Sequence, residues 1–171
     1  MQQYTGKSVY GGIALGKALI FHKKEGKVRR KHIEDVETEI LRVDEAREKA
    51  REELQKLYDK AVIEVGEQNA MIFQVHQMML EDQDYMDSII YMIRNEQINA
   101  EYAVASTGDN FAELFSSMDD DYMKERAADV RDVSNRLIKI LQGKADGSLL
   151  MEQPYILVAD DLAPSETLQL D

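Results

Sequence analysis

The longest pattern in the chain is helical. From Ile33 onward, apolar residues recur in alternating steps of three and four, the spacing that places side chains on one face of an α-helix. The members of this stripe are Ile33, Val36, Ile40, Val43, Ala50, Leu54, Leu57 and Ala61. No Gly or Pro interrupts the stripe before Gly66. A helix of about 33 residues would be roughly 50 Å long, and it must lie against other helices to bury its apolar face.

Four further segments are predicted to be helical and to supply those packing partners. They are residues 67–80, 84–96, 99–118 and 122–141. Asn99 and the run Asp119-Asp120-Asp121 are expected to begin the last two, because short acceptor side chains satisfy free amides and favour the helix dipole. Gly143 is expected to end the last helix.

Both ends of the chain have a different pattern. Residues 4–21 are rich in Gly and β-formers, and apolar positions 13, 15 and 19–21 predict a strand entered through a Gly turn. The almost purely apolar run Tyr155–Ala159 is typical of a strand buried on both faces. Pro164 is expected to open a short helix. The predicted fold is mainly α, with a helical subdomain at 32–142 inserted into a partial α/β subdomain made of 1–21 and 149–171.

The composition limits the function classes. Hydrophobic residues make up 44% and charged residues 32% of the 171 residues, which is typical of a globular protein and leaves no run long enough for a membrane span. The net charge of −12 argues against nucleic-acid binding and favours a basic partner. The absence of Cys excludes disulfides, thiol nucleophiles and Cys-type zinc sites. The N-terminus lacks an export signal, so a cytoplasmic protein is expected.

Motifs for self-contained chemistry are missing from the sequence. No phosphate-binding Gly loop, dinucleotide motif or nucleophile elbow is present. A di-metal helical bundle needs Glu three residues before His, but the positions three residues before the histidines at 22, 32 and 76 are Leu, Arg and Phe. The abundant acidic residues are interpreted as solvated helix faces. No metal site is therefore predicted.

The segment at 71–80 differs from the other helices. Its large apolar side chains would spread over roughly 220° of the helix, whereas a stripe of about 100° suffices for one core contact. Such a helix either is buried on two sides or presents a second apolar surface to a partner, and Met is common at adaptable binding surfaces. His76 lies near the edge of the second arc, and the alternative interpretation is a packed or exposed bystander.

Four segments together resemble a known family. They are 12–18 (GIALGKA), 72–82 (IFQVHQMMLED), 118–133 (MDDDYMKERAADVRDV) and 156–167 (ILVADDLAPSET). In order and spacing they are similar to the N-terminal part of Enzyme I, the phosphoenolpyruvate–protein phosphotransferase of the bacterial sugar phosphotransferase system. The third segment is highly specific, and the resemblance covers essentially the whole chain.

The resemblance implies a function. Enzyme I takes phosphate from phosphoenolpyruvate onto a histidine, with Mg²⁺, and passes it to the histidine-containing phosphocarrier protein. The resemblance also implies a fold in which an α/β phosphohistidine subdomain is interrupted by a helical subdomain that docks the carrier. The α/β subdomain is expected to be truncated in this chain. The phosphorylated histidine is expected beyond Asp171, next to Thr167, so this chain alone is predicted to hold no catalytic residue, no cofactor and no activity. The dimer interface of the whole enzyme is likewise expected in a missing C-terminal domain. Because Met1 begins directly at the first strand, the sugar branch is favoured over the nitrogen branch.

The resemblance also implies a docking surface for the carrier. Its expected residues are Glu67, Gln68, His76, Met78, Met79, Asp84, Tyr85, Arg126 and Arg131. Three positions depart from the family: Gly11 replaces Pro, Ala163 replaces a capping Thr, and Tyr85 replaces a common Leu, with an expected effect on carrier preference. For Arg126 and Arg131 an ordinary salt-bridged helix end is the alternative. For the chain as a whole, the alternative is a stand-alone helical adaptor.

Overall fold

The computed structural model describes residues 11–21, 28–144, 155–159 and 162–168. The elements, in chain order, are β1 (Lys17–Phe21), α1 (Val36–Val65), α2 (Glu67–Glu81), α3 (Gln83–Glu96), α4 (Ala100–Ser117), α5 (Asp121–Leu141), β2 (Tyr155–Ala159) and α6 (Pro164–Thr167). Helices dominate the described residues, so the predicted mainly α fold with a helical bundle beside a small α/β part is confirmed.

The long helix predicted from the apolar stripe is α1. It begins after Asp35, whose carboxylate accepts a hydrogen bond from the Thr38 amide at 3.0 Å. It ends at Gly66, which has a φ of 86° that favours glycine. The stripe is buried from Ile40 to Ala61 and forms the centre of the core together with residues of α2, α3, α4 and α5.

Two acidic residues set the turns between helices. Asp82 is the only residue between α2 and α3, and its carboxylate accepts from the Tyr85 amide at 2.9 Å. Asp120 caps α5 by accepting from the Met123 amide at 3.2 Å, as predicted for the acidic run. At the other end of α5, Gly143 has a φ of 65°, which confirms the predicted glycine stop.

Asn99 begins α4 but does not cap it with its side chain. Its side-chain oxygen instead accepts a hydrogen bond from the Lys31 backbone amide at 2.8 Å. Its side-chain nitrogen donates to the Glu101 carboxylate at 2.7 Å. The Ile33 amide also donates to the Gln97 carbonyl at 2.9 Å. The connector that enters the bundle is therefore held against the turn between α3 and α4.

A partly buried ion cluster, which we call the Arg42 cluster, consists of Glu39, Arg42 and Glu101. The guanidinium of Arg42 lies 2.7 Å from a carboxylate oxygen of each acid, and it also donates to the Leu141 carbonyl at the end of α5. Glu39 in turn accepts from the Ala100 amide at 2.6 Å. The cluster thus joins α1 to the beginning of α4 and the end of α5.

The two strands pair in parallel, with Lys17 opposite Tyr155 and Phe21 opposite Ala159. The predicted strand is shorter than expected, because Ile13 and Leu15 lie before β1 and are 96% and 97% exposed. Two-sided burial of β2 was also a wrong prediction: its side chains are exposed or half-buried. Within the described residues each strand has one strand neighbour, so the sheet is only two strands wide.

The last helix, α6, begins with Pro164 as predicted. Ala163 offers no side-chain cap, but its amide donates to the Glu166 carboxylate at 2.8 Å. The ammonium of Lys60 on α1 donates to the Leu168 carbonyl at 2.5 Å, which ties the end of α6 to the bundle. None of the helices within the described ranges is long and apolar enough to cross a membrane.

Candidate docking site

Helices α2, α3, α4 and α5 surround an open groove with a volume of about 310 Å³. Its apolar and aromatic lining consists of Val75, Met78, Met79, Tyr85, Phe111, Phe115, Tyr122, Met123, Val130 and Val133. Two charged residues, Asp82 and Arg126, complete the lining. The composition is that of a protein-contact surface, in which an apolar centre supplies burial and a few polar groups set orientation.

Two local features bring these side chains together. The single-residue turn at Asp82 places the end of α2 next to the start of α3. Helices α4 and α5 approach closely where Gly108 faces Ser134. The approach is so close that a Cβ atom added at Gly108 would lie only 2.2 Å from the Ser134 hydroxyl oxygen. A larger residue at Gly108 would therefore push α4 and α5 apart.

Aromatic rings form one wall of the groove. The Tyr85 and Phe111 ring centroids are 5.6 Å apart and those of Phe111 and Phe115 are 6.2 Å apart, both in edge-to-face geometry. The Tyr85 hydroxyl lies 2.7 Å from the Ser134 hydroxyl. Burial raises the pKa of Tyr85 to about 12, although the hydrogen bond with Ser134 acts in the opposite direction. Tyr85 is therefore a neutral, fixed part of the wall.

The two methionines predicted to contact a partner are not equivalent. Met78 is 69% exposed, so its thioether presents free apolar surface at the groove. Met79 is partly buried and packs against the core, so it lines the groove with less exposed surface than Met78. Met71, on the same helix, is 52% exposed but does not line the groove. Val75, Met78 and Met79 of the segment 71–80 line the groove, and Met78 is the exposed one of the three.

Arg126 is the basic group of the groove. Its guanidinium carbon lies 4.7 Å from the centroid of the Tyr122 ring, and the side chain also donates to the Tyr122 hydroxyl. A second nitrogen is 3.6 Å from the Asp129 carboxylate. Arg131, the other arginine predicted for docking, is exposed further along α5 and is not part of the groove lining.

His76 is in a different place from the one its predicted role requires. Its side chain is 1% exposed, so direct contact with a partner is closed to it in this structure. Nε2 lies 3.4 Å from Asp129 and Nδ1 lies 3.8 Å from Asp132. Phe73 meets the imidazole edge-on at a centroid distance of 6.4 Å. His76 is thus a packed histidine, which was the alternative interpretation of this residue. Asp129, one of its polar neighbours, also contacts Arg126 in the groove lining.

The remaining predicted residues lie outside the groove lining. Glu67 and Gln68 are exposed at the start of α2, and Asp84 is exposed in the first turn of α3. Thr167 is exposed on α6, where its hydroxyl donates to the Ala163 carbonyl at 3.2 Å.

Eight lining residues were not among the predicted docking residues: Val75, Asp82, Phe111, Phe115, Tyr122, Met123, Val130 and Val133. Phe111 and Phe115 are four positions apart, which places them on one helix face, and this spacing was the available signal. Within the described ranges, no three His, Asp or Glu side chains are close enough together to hold a metal ion.

The structure defines a helical bundle with an open, mainly apolar groove, joined to a small parallel sheet, and comparisons with known proteins give its family. The sequence profile of the family described as PEP-utilising enzyme, N-terminal, matches residues 5–126. The chain is 38% identical over 172 aligned residues to the phosphoenolpyruvate-protein phosphotransferase of Bacillus subtilis, covering 100% of this chain and 30% of that protein. The corresponding protein of Haemophilus influenzae is 39% identical, with coverage of 94% and 28%.

Two solved structures agree with these relatives. The NMR solution structure of Enzyme I (nEIt) protein superposes with a TM-score of 0.76 at 36% identity, covering 90% of this chain and 63% of that one. The N-terminal domain of Enzyme 1 - Nitrogen superposes with a TM-score of 0.70 at 25% identity, with coverage of 94% and 66%. The chain belongs to the family of PEP-utilising enzymes, in their N-terminal region, and its full-length relatives are phosphoenolpyruvate–protein phosphotransferases. It spans about 30% of the length of those relatives.

Proposed function

We propose that this chain is the carrier-docking part of a phosphoenolpyruvate–protein phosphotransferase. In the whole enzyme, phosphate passes from phosphoenolpyruvate to a histidine, with Mg²⁺, and then to the histidine-containing phosphocarrier protein for sugar uptake in the cytoplasm. The observation that carries the proposal is the groove itself. Two of the segments that resemble Enzyme I, 72–82 and 118–133, both contribute lining residues to it.

The groove suits a transient protein partner. Met78 and the partly buried ring of Phe111 offer apolar surface, and Arg126 and Asp82 add one charge of each sign. A contact of about 800 Å² per partner around such a centre is compatible with micromolar affinity. The net charge of −12 favours fast association with a basic carrier surface.

The exposed predicted residues receive a proposed role outside the groove. Glu67, Gln68, Asp84 and Arg131 form the polar rim in this proposal, where side chains steer and orient a partner more than they add affinity. Thr167 is proposed to lie beside the phosphorylated histidine of the whole enzyme. Homodimer formation is assigned to parts of the enzyme outside this chain.

The test is a titration of ¹⁵N-labelled phosphocarrier protein with this chain, followed by amide shifts. We expect saturable binding to the unphosphorylated carrier and a roughly five- to thirtyfold weaker affinity for Met78→Ala, because burying a Met side chain contributes on the order of 1–2 kcal/mol.

Met71→Ala is the matched control, since Met71 is an exposed methionine of the same helix outside the groove. We expect its affinity to stay within about twofold of the original chain, in line with the small effects of residues outside the contact centre. Equal losses in folded Met71→Ala and Met78→Ala proteins would place the docking surface elsewhere.

A further inference from the structure

Three groups of α5 lie on one helix face and connect the groove with the core. Tyr122, Arg126 and Asp129 follow one another at steps of four and three residues, the spacing at which helical side chains meet. Arg126 contacts Tyr122 on one side and Asp129 on the other. The next contact crosses to α2, where Asp129 meets the buried ring of His76.

The Asp129 carboxylate uses a different oxygen for each neighbour. Oδ1 lies 3.4 Å from Nε2 of His76, and Oδ2 lies 3.6 Å from the Arg126 guanidinium. The side chain of Asp129 is 17% exposed and that of Arg126 20% exposed, so water screens this pair less than it screens a surface ion pair.

We propose that Asp129 is a positioning residue that holds Arg126 in its orientation at the groove, and that His76 braces Asp129 from the core. This inference rests on the proposed docking function. Arg has several flexible torsions, and fixing its guanidinium before the partner arrives lowers the entropy that binding must otherwise remove. His76 then contributes to docking through Asp129 without touching the partner.

Two carboxylates of α5 lie next to the buried ring of His76. Asp129 faces Nε2, Asp132 faces Nδ1, and Arg126 lies behind Asp129. Asp132 therefore touches the same ring as Asp129, but among the ion pairs of the described residues only Asp129 also reaches Arg126.

This difference supplies a matched pair of variants. Asp129→Asn and Asp132→Asn remove one negative charge each from the same helix, so long-range attraction to a basic carrier changes equally in both. We expect Asp129→Asn to weaken carrier binding roughly three- to tenfold, the range of a partly buried ion pair, and Asp132→Asn to weaken it less than about twofold. Equal effects of the two variants would overturn the positioning role, because charge loss alone would then explain both.

A double-mutant cycle tests whether Asp129 acts through Arg126. Arg126→Met keeps the length of the side chain but removes the guanidinium. In that background Asp129→Asn should have no further effect on the carrier affinity, since the group it positions is gone. A further loss as large as in the original chain would show that Asp129 acts on the partner by another route.

A spectroscopic readout on the free protein separates this inference from the docking proposal. The side-chain Nε–H signal of Arg126 should shift in Asp129→Asn and stay in place in Asp132→Asn, with the fold of both checked by amide spectra. If the original chain does not bind the carrier, the docking proposal fails while this readout still decides the positioning role. An Arg126 signal that is identical in the original chain and in Asp129→Asn would overturn it.

Discussion

The helical bundle and the pair of strands use similar apolar residues with different results. In the bundle, Leu54 and Leu137 are fully buried, because five helices cover one another. In the sheet, Ile20 and Val158 remain 64% and 49% exposed, because each strand has one neighbour within the described residues. Burial therefore depends on how many elements a segment can meet, as well as on its own hydrophobicity. The groove lies wholly within the helical bundle.

The largest expected effect contrasts a core residue with a strand residue. Leu54→Ala should lower the free energy of unfolding by about 2–5 kcal/mol, because it removes buried methyl groups and leaves a cavity. Ile20→Ala should lower it by less than about 0.5 kcal/mol, because the side chain is already in water. Urea unfolding followed by circular dichroism measures both. Comparable losses in the two variants would contradict the difference between the regions.

The second expected effect is a dependence of bundle stability on pH. Burial by itself would raise the pKa of Glu101, but hydrogen bonds from Asn99 and Arg42 outweigh it and lower the pKa below the ordinary value of 4.5. A carboxyl with a lowered pKa in the folded state stabilises the protein above its ordinary pKa, and this contribution disappears as the pH falls through the folded value.

The unfolding free energy should therefore decrease as the pH falls from about 5 toward 3, and Glu101→Gln should reduce this slope. At pH 7 the free energy of unfolding of the same variant should be lower by about 1–2 kcal/mol. A fully buried ion pair would contribute more, but Arg42 is 37% exposed and water screens its interaction with Glu101. Urea unfolding at each pH gives the comparison. A slope that is unchanged in Glu101→Gln would mean that other carboxyl groups carry the acid sensitivity.

A smaller effect is expected at the helix cap beside the groove. Asp120→Ala should cost about 1 kcal/mol, because the Met123 amide loses its acceptor. Asp119→Ala is the matched control, since it removes the same charge one residue before the cap and should change stability by a few tenths of a kcal/mol. Thermal unfolding of both variants would show the difference, and similar melting temperatures would mean that the cap contributes little.

The smallest expected effect concerns the strand pair. Within the described residues neither β1 nor β2 has a second strand neighbour, and such edges recruit other chains. We therefore expect weak, concentration-dependent self-association through the strands, reduced by Val158→Lys, as measured by sedimentation velocity. A chain that remains monomeric at millimolar concentration would show that these edges are already protected.

Much of the bundle was predictable because its determinants are local. The apolar stripe of α1, the cap at Asp120 and the glycine at 143 act within one or two helical turns of themselves. The burial of His76 was not predictable in this way, because Asp129 and Asp132, which are 53 and 56 residues further along the chain, surround its ring. The exposure of β2 was missed for a related reason. An apolar run shows that a segment can be buried, but whether it is buried depends on elements that are distant in the sequence.

The candidate site was predictable in part. The resemblance to Enzyme I pointed to Met78, Tyr85 and Arg126, and the structure places all three in one groove. The aromatic side of α4 was missed, because Phe111 and Phe115 have the spacing of ordinary core residues and only the packing of α4 against α3 and α5 exposes them to the groove.

The most direct test of the docking claim uses the methionines of this chain as reporters. The chain contains nine Met residues, and a ¹³C-methyl-labelled sample can be titrated with unlabelled, unphosphorylated carrier protein. The account predicts that the methyl signals of Met78, Met79 and Met123, which line the groove, shift on binding, while the signal of Met71 remains in place. Shifts centred on Met71 with none at the groove, or no shift at any methionine, would contradict it.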